Sequence, residues 1–272
     1  MILDGRIAWI TGASSGIGRA IALAFAAKGA KLILSGRRRE ALEETAAATG
    51  ALCMILPFDT TDLAALPDVV AQAHGWQGRI DVLVNNAGIS QRSLAVDTDI
   101  AVYDAVIGAD LIAPIHLTQH CLPHLIANGT GQIVAISSVA GRAGVPLRTS
   151  YCAAKHGLIG YMDALRAETE IAHGLKVLNV LPGSVATDVA KNALTGGGEK
   201  QGHSDPQIDG GLSPDDCAAA IVEAIEAGTR ELIFAQGMEL ELARLRQSDA
   251  DTLFGLTAKL GVRFARVEQA SD

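Results

Sequence analysis

Arg6-Ile-Ala-Trp-Ile10 runs directly into Thr11-Gly-Ala-Ser-Ser-Gly-Ile-Gly18, and beyond it Ile17, Ala20, Ile21, Ala24 and Phe25 recur at helical spacing. The first segment is apolar at successive positions, as in a strand covered on both faces of a parallel sheet. Gly12, Gly16 and Gly18 let the backbone turn tightly and come close to an anion, with Ser14, Ser15 and Ile17 in the same loop. The helix that starts there offers its unpaired N–H groups and the positive end of its dipole. A pyrophosphate fits such a corner. Taken alone, a plain strand–turn–helix corner has the same sequence.

Outward from this corner the pattern repeats. Short apolar runs begin at Lys31, Leu52, Ile80, Gln132, Lys176 and Glu231, separated by Ala/Leu-rich stretches of helical spacing. Alternation of this kind defines an α/β fold of Rossmann type: a doubly wound parallel sheet of about seven strands with helices on both faces. The 272 residues read as one domain, 1–237 forming a dinucleotide-binding and catalytic body and 238–272 a helical extension of it. Residues 188–213, with Thr195-Gly-Gly-Gly198 and Gln201-Gly-His-Ser-Asp-Pro206, are too polar and glycine-rich for a packed element and form a substrate loop.

Composition excludes several classes of function. With 22 Lys and Arg against 30 Asp and Glu, the net charge of −8 argues against binding nucleic acid. No uninterrupted apolar run approaches the ~18–20 residues that span a bilayer, and no basic, then apolar, leader opens the chain. Cys53, Cys121, Cys152 and Cys217 lack metal-ligand spacing and read as free thiols of a reducing compartment. The expectation is a cytoplasmic protein with a small-molecule ligand, no membrane or nucleic-acid partner, and no metal.

The second run ends in Ser35-Gly36-Arg37-Arg38-Arg39, where an NAD site has a carboxylate for the ribose. Arg37 and Arg38 suit a 2′-phosphate instead, so the cofactor is expected to be NADP(H). Asp59 and Thr60 follow the third run, where the carboxylate accepts from an adenine amino group or caps a helix starting after Thr61-Asp62. Asn85-Asn86-Ala87-Gly88 follows the fourth, small enough to pack over a nucleotide. Ser137 and Ser138 close the fifth run at its carboxyl end, where open α/β sheets bind ligands. Tyr151 and Lys155, four apart, share one helix face. A phenol titrates near pKa ~10, and a neighbouring ammonium in a dry site favours its ionised form.

These motifs, in this order, resemble the short-chain dehydrogenase/reductase superfamily in its single-domain branch, over about residues 4–235. A looser similarity, from Val180 to Pro214, is to the microsomal-type group near 11β-hydroxysteroid dehydrogenase. The resemblance implies that Tyr151 is the general acid/base of hydride transfer between NADP(H) and a carbonyl or secondary alcohol. It implies that Lys155 supports Tyr151 and binds the nicotinamide ribose, that Ser138 orients the substrate, and that Pro182, Gly183, Val185 and Thr187 line the nicotinamide carboxamide. Where the family has an asparagine this chain has Asp110, a modified fourth member of the catalytic set. Ser90, Arg92, Arg142, Val145, Leu147 and Leu194 are pocket candidates. The family also implies a homodimer or homotetramer, with Leu158, Leu165 and Ala172 offering an apolar helix face. A 3-oxoacyl carrier-protein reductase is disfavoured by the long C-terminal extension, and a non-catalytic NADPH sensor by the intact Ser138, Tyr151 and Lys155.

Overall fold

The computed structural model describes residues 1–127 and 129–269, the side chains of 264–269 apart. Seven parallel strands form one sheet: β1 (Ile7–Thr11), β2 (Lys31–Ser35), β3 (Cys53–Ile55), β4 (Val82–Asn85), β5 (Gln132–Ile136), β6 (Lys176–Pro182) and β7 (Glu231–Phe234). Their order is β3-β2-β1-β4-β5-β6-β7. The helices are α1 (Gly16–Ala27), α2 (Arg39–Thr49), α3 (Leu66–Gln77), α4 (Ile100–Ile107), α5 (Ala113–Ala127), α6 (Thr149–His173), α7 (Pro206–Asp209), α8 (Pro214–Ala227), α9 (Gly237–Ser248) and α10 (Ala250–Gln269).

Alternate residues of each strand enter different cores. Ala8 and Ile10 of β1 meet Ile21 and Phe25 of α1 and Ile221 of α8, whereas Ile7 and Trp9 join Val70 of α3, Leu117 of α5 and Met162 of α6. The successive apolar positions of the strands follow from this two-sided burial. After β3 the chain returns across the sheet to lay β4 beside β1, so the crevice between them lies where winding reverses. Asp81, fully buried, holds that junction. Its carboxylate accepts from the Ile7 N–H at 2.9 Å and pairs with Arg6 and Arg79.

Some local expectations change. The third strand is only three residues long, and α3 starts at Leu66 rather than just after Asp62. Asp59 Oδ1 accepts from the Thr61 N–H at 3.0 Å and its hydroxyl at 2.8 Å, which turns the chain before a helix can start. The 188–213 segment carries the short α7 and is bridged to its surroundings at Leu194 and Leu212. The C-terminal extension is two helices rather than one. Leu158 and Leu165 lie in the core, so the face expected for subunit pairing is spent inside the molecule; Ala172 is exposed. All four cysteines are free. The continuous helical run Ile100–Ala127 is apolar and long enough to cross a membrane by composition, a property the broken apolar runs of the sequence conceal. Here Leu117, Cys121 and Leu125 of that run pack against the sheet.

Replacing Asp81 with Ala leaves the Ile7 N–H and the Arg79 guanidinium without this acceptor and Arg6 with only Thr130 among the described residues, and is expected to destabilise the fold by about 3 kcal/mol. A urea midpoint equal to that of the unaltered protein would show that the β1–β4 junction does not depend on the carboxylate.

Candidate active site

The glycine loop sits at the carboxyl end of β1. Gly12 and Gly16 have φ of 66° and 54°, a region that side chains with a Cβ rarely adopt. A Cβ on Gly18 would overlap the Gly12 carbonyl oxygen and the Asn86 amide, and one on Gly16 would stand 3.1 Å from the Thr187 methyl. Asn86, expected over the nucleotide, instead spends its amide on the loop itself, donating to the Thr11 carbonyl at 2.9 Å. Thr11 Oγ1 accepts from the Asn86 and Ala87 N–H groups and donates to the Val84 carbonyl. The turns after β1 and β4 are thereby one unit. Between this loop and the 186–188 segment opens a cleft of about 470 Å³, lined by Gly16, Arg19, Ala186, Thr187, Asp188 and Pro214 among others. The Cβ-free cradle at a helix N-terminus, open to this cleft, fits a dinucleotide pyrophosphate.

The residues expected around the adenosine end also come together. Arg38 donates to Ser14 Oγ at 3.4 Å, and Arg37 stands 3.9 Å from Asp59. Burial raises the Asp59 pKa, but the two Thr61 donors and Arg37 outweigh it and leave it lowered. Thr60 shares a small hollow with Thr11, Ala87 and Ala109.

The catalytic candidates converge at the end of β5. Lys155 is buried, with Nζ 5.4 Å from the centre of the Tyr151 ring and donating to the Ile136 carbonyl at 3.0 Å. Its third neighbour is Asp110 Oδ2 at 2.9 Å, an oxygen with no other partner. Asp110 projects from a π-helical turn, Gly108–Ile112, inserted between α4 and α5, and its Oδ1 accepts from the Ile89 N–H at 2.7 Å. Gly88 is required beside it, because a Cβ there would come within 2.7 Å of Oδ2. Burial works against the Lys155 ammonium, but Asp110 and Tyr151 overcome this and raise its pKa. Burial raises Asp110 as well, with Lys155 and the Ile89 N–H opposing. Ser138 caps the short turn Val139–Gly141, accepting from the Ala140 N–H at 3.1 Å while donating to the Pro182 carbonyl at 3.2 Å. Tyr151 is half-buried, and its hydroxyl makes no hydrogen bond among the described residues.

Pro182, Gly183, Val185 and Thr187 continue from β6 toward the glycine loop. Glu239, at the start of α9, fixes their path: its carboxylate accepts from the Ser184 N–H at 2.7 Å, the Ser184 hydroxyl at 2.8 Å and Gln207 at 3.2 Å. Gly183 has no room for a Cβ against that carboxylate. Leu242 and Leu253, from α9 and α10, pack on Ala143, so the C-terminal helices cover the segment between Ser138 and Tyr151. Of the pocket candidates, Arg142 does not join the others, being paired with Glu231 of β7. Ser90, Arg92 and Leu194 form one seam, since Leu194 N–H donates to the Ser90 carbonyl and Arg92 N–H to that of Leu194. Val145 N–H is directed to Cys152 Sγ at 3.5 Å. Gln91, with no signal in the sequence, is fully buried; its Oε1 accepts from the Ser150 N–H at 3.0 Å and its Nε2 donates to Thr98 at 3.0 Å. It staples the turn after β4 to the residue before Tyr151.

This fold and site define a dinucleotide-type oxidoreductase, and a family model described as short chain dehydrogenase matches residues 6–196. The chain belongs to the short-chain dehydrogenase/reductase family. It is 38% identical over 241 residues to a dehydrogenase/reductase SDR family protein 7-like of Anopheles gambiae, covering 86% of this chain and 76% of that one. It is 36% identical over 259 residues to dehydrogenase/reductase SDR family member 7B of Bos taurus, covering 92% and 79%. A short-chain dehydrogenase structure from Streptomyces avermitilis superposes with a TM-score of 0.79 at 30% identity, covering 99% of both chains. A short-chain dehydrogenase/reductase from Burkholderia phymatum, solved in complex with NAD, shares the fold with a TM-score of 0.82 at 24% identity, covering 93% of this chain and 96% of that one.

Gly18→Ala forces the loop off the Gly12 carbonyl and the Asn86 amide, and is expected to weaken dinucleotide binding by roughly tenfold or more, about 1.4 kcal/mol. Titration of the fluorescence of bound reduced dinucleotide measures this, and unchanged affinity would remove the glycine loop from the binding site.

Proposed function

We propose that the protein is an NADP(H)-dependent carbonyl reductase, acting in reverse as an alcohol dehydrogenase, with Tyr151 as general acid/base. The observation that carries this reading is the buried Lys155 ammonium, held near the Tyr151 ring by Asp110 and the Ile136 carbonyl, at the carboxyl end of the sheet where Ser138 and the glycine-loop crevice also lie. Bound along that crevice, a nicotinamide dinucleotide supplies or accepts the hydride.

The chain's own residues do the rest. Ser138 turns its hydroxyl from the Pro182 carbonyl to the substrate oxygen, while the Ala140 N–H keeps the side chain in place. Tyr151 Oη donates its proton to that oxygen as the carbonyl is reduced, and takes it back in alcohol oxidation. Lys155 stabilises the negative charge that the phenol oxygen then carries. Pro182, Gly183, Val185 and Thr187 form the wall beside the nicotinamide, and the 188–213 segment excludes water from above. Arg37 and Arg38 support the choice of NADP(H): both are exposed at the end of β2, where the chain itself carries no carboxylate, although Asp59 of the next turn stands 3.9 Å from Arg37.

Three variants test the assignment. Tyr151→Phe is expected to lower kcat for ketone reduction roughly a thousandfold while dinucleotide binding persists. Joint replacement of Arg37 and Arg38 by Ala should raise KM for NADPH about tenfold or more and leave KM for NADH where it was. An equal effect on both dinucleotides would overturn the NADP(H) reading. In Asp110→Asn, Lys155 loses the carboxylate that holds its buried ammonium against desolvation, so its pKa should fall and alcohol oxidation should decline at a lower alkaline pH than in the unaltered protein. An unmoved profile would reduce Asp110 to a packing role.

A further inference from the structure

Arg148 stands apart from the other arginines. Arg19, Arg244 and Arg263, which also lack an acidic partner among the described residues, are exposed on helix surfaces. Arg148 is half-buried at the start of α6, its Nε is buried without a hydrogen-bond partner, and no carboxylate lies within ion-pair distance among the described residues. A buried guanidinium donor without an acceptor is costly unless a ligand supplies one.

Its place in the fold gives that donor a purpose. Arg148 is three residues, about one helical turn, before Tyr151. Leu147, just before it, has φ of 65°, a left-handed conformation rare for a residue with a branched side chain and typical of ligand clamps. A second arginine enters the same space. Arg92 follows Gln91, which is stapled to Ser150, and precedes Ser93, whose N–H donates to the Leu147 carbonyl at 3.1 Å. Burial and the nearby Arg148 charge push the Arg92 pKa down to about 10. The Arg92 guanidinium therefore stays charged near neutrality. Of the two, only Arg92 has an acidic partner among the described residues: Asp205, from the 188–213 segment, is ion-paired with it. The seam retains one uncompensated positive charge.

We infer that the carbonyl compound taken by this site carries an anionic group, a carboxylate or a phosphate, seated on Arg148 with Arg92 beside it. The inference rests on the proposed reductase activity and specifies its substrate class. Without substrate, Asp205 stands in for that anion at Arg92, joining the segment over the site to the wall beneath it. Guanidinium forks hold oxyanions in two-point contacts, so the anion also sets which end of the molecule faces Tyr151.

The test uses the full chain and a series of straight-chain oxo acids of about five to ten carbons, a range set by one helical turn plus the reach of an arginine side chain. Each is compared with its methyl ester and with the oxo phosphonate of equal length in NADPH-linked reduction. The expected result is a kcat/KM for at least one acid or phosphonate about tenfold or more above its ester, carried by KM and declining with added salt. The acid-to-phosphonate ratio identifies which anion is preferred. Arg148→Met should erase the preference and Arg148→Lys retain part of it, so a general loss of folding in the first variant is separated from loss of the anion contact. Equal use of acid and ester throughout the series, or a preference unaltered in Arg148→Met, would overturn the inference while leaving the reductase reading intact. If no carbonyl is reduced, the reductase reading fails. The anion contact is then read by binding: hydroxy acids of the same series should bind the protein about tenfold more tightly than their esters, in Arg148-dependent fashion. Equal binding of acid and ester would refute it.

Discussion

The pairing of β1 with β4 is the constraint on which the site depends. Two strands, β2 and β3, wind outward on one side of β1, and the chain then crosses back to begin the other side. At the amino end of this pair, Asp81 gathers one backbone N–H and two arginines. At the carboxyl end, Thr11 Oγ1 and the Asn86 amide tie the two turns together through their backbones. The register of one strand pair thus fixes both the bend of the glycine loop and the position of Gly88. Gly88 in turn makes room for Asp110, and Asp110 sets Lys155. Hydrogen bonds at the sheet junction and the charge arrangement at Lys155 are successive steps of one geometry.

The Lys155–Asp110 pair differs in kind from the ion pairs on the surface. Exposed pairs such as Lys28–Glu226 contribute little because water screens them. Both members of the interior pair are buried, so each is costly to leave without the other. The π-helical turn that carries Asp110 is what brings the carboxylate to the lysine, since it offsets the helix by a residue between α4 and α5. An asparagine there would keep an acceptor but not the charge, so the residue type alters the electrostatics around Tyr151 without altering the fold.

Much of this was legible in the sequence because the signals are local. Unbroken apolar runs marked the two-sided strands, three glycines marked the close backbone approach, and the Tyr151–Lys155 spacing placed both on one helix face. What remained hidden arises from contacts between distant segments. Gln91 has no motif, yet it links the turn after β4 to α6 because topology puts Ser150 opposite it. Glu239 and Asp205 are ordinary surface-type residues until the chain folds them onto Ser184 and Arg92. Leu158 and Leu165 have the spacing of an interface helix, and periodicity cannot say whether the apolar face meets the sheet or a partner. The late start of α3 is hidden for the opposite reason, a very short-range one. Asp59 and Thr61 close a side-chain turn that competes with helix formation.

Glu239 has a consequence for the order in which the molecule is completed. The segment from Pro182 to Ser184 precedes the last strand, but the carboxylate that receives the Ser184 N–H and hydroxyl lies fifty-five residues later, beyond that strand. A growing chain that has already formed its sheet still lacks the brace behind Gly183. The segment from Pro182 to Ser184 is therefore braced only once α9 docks, whatever the state of the strands before it.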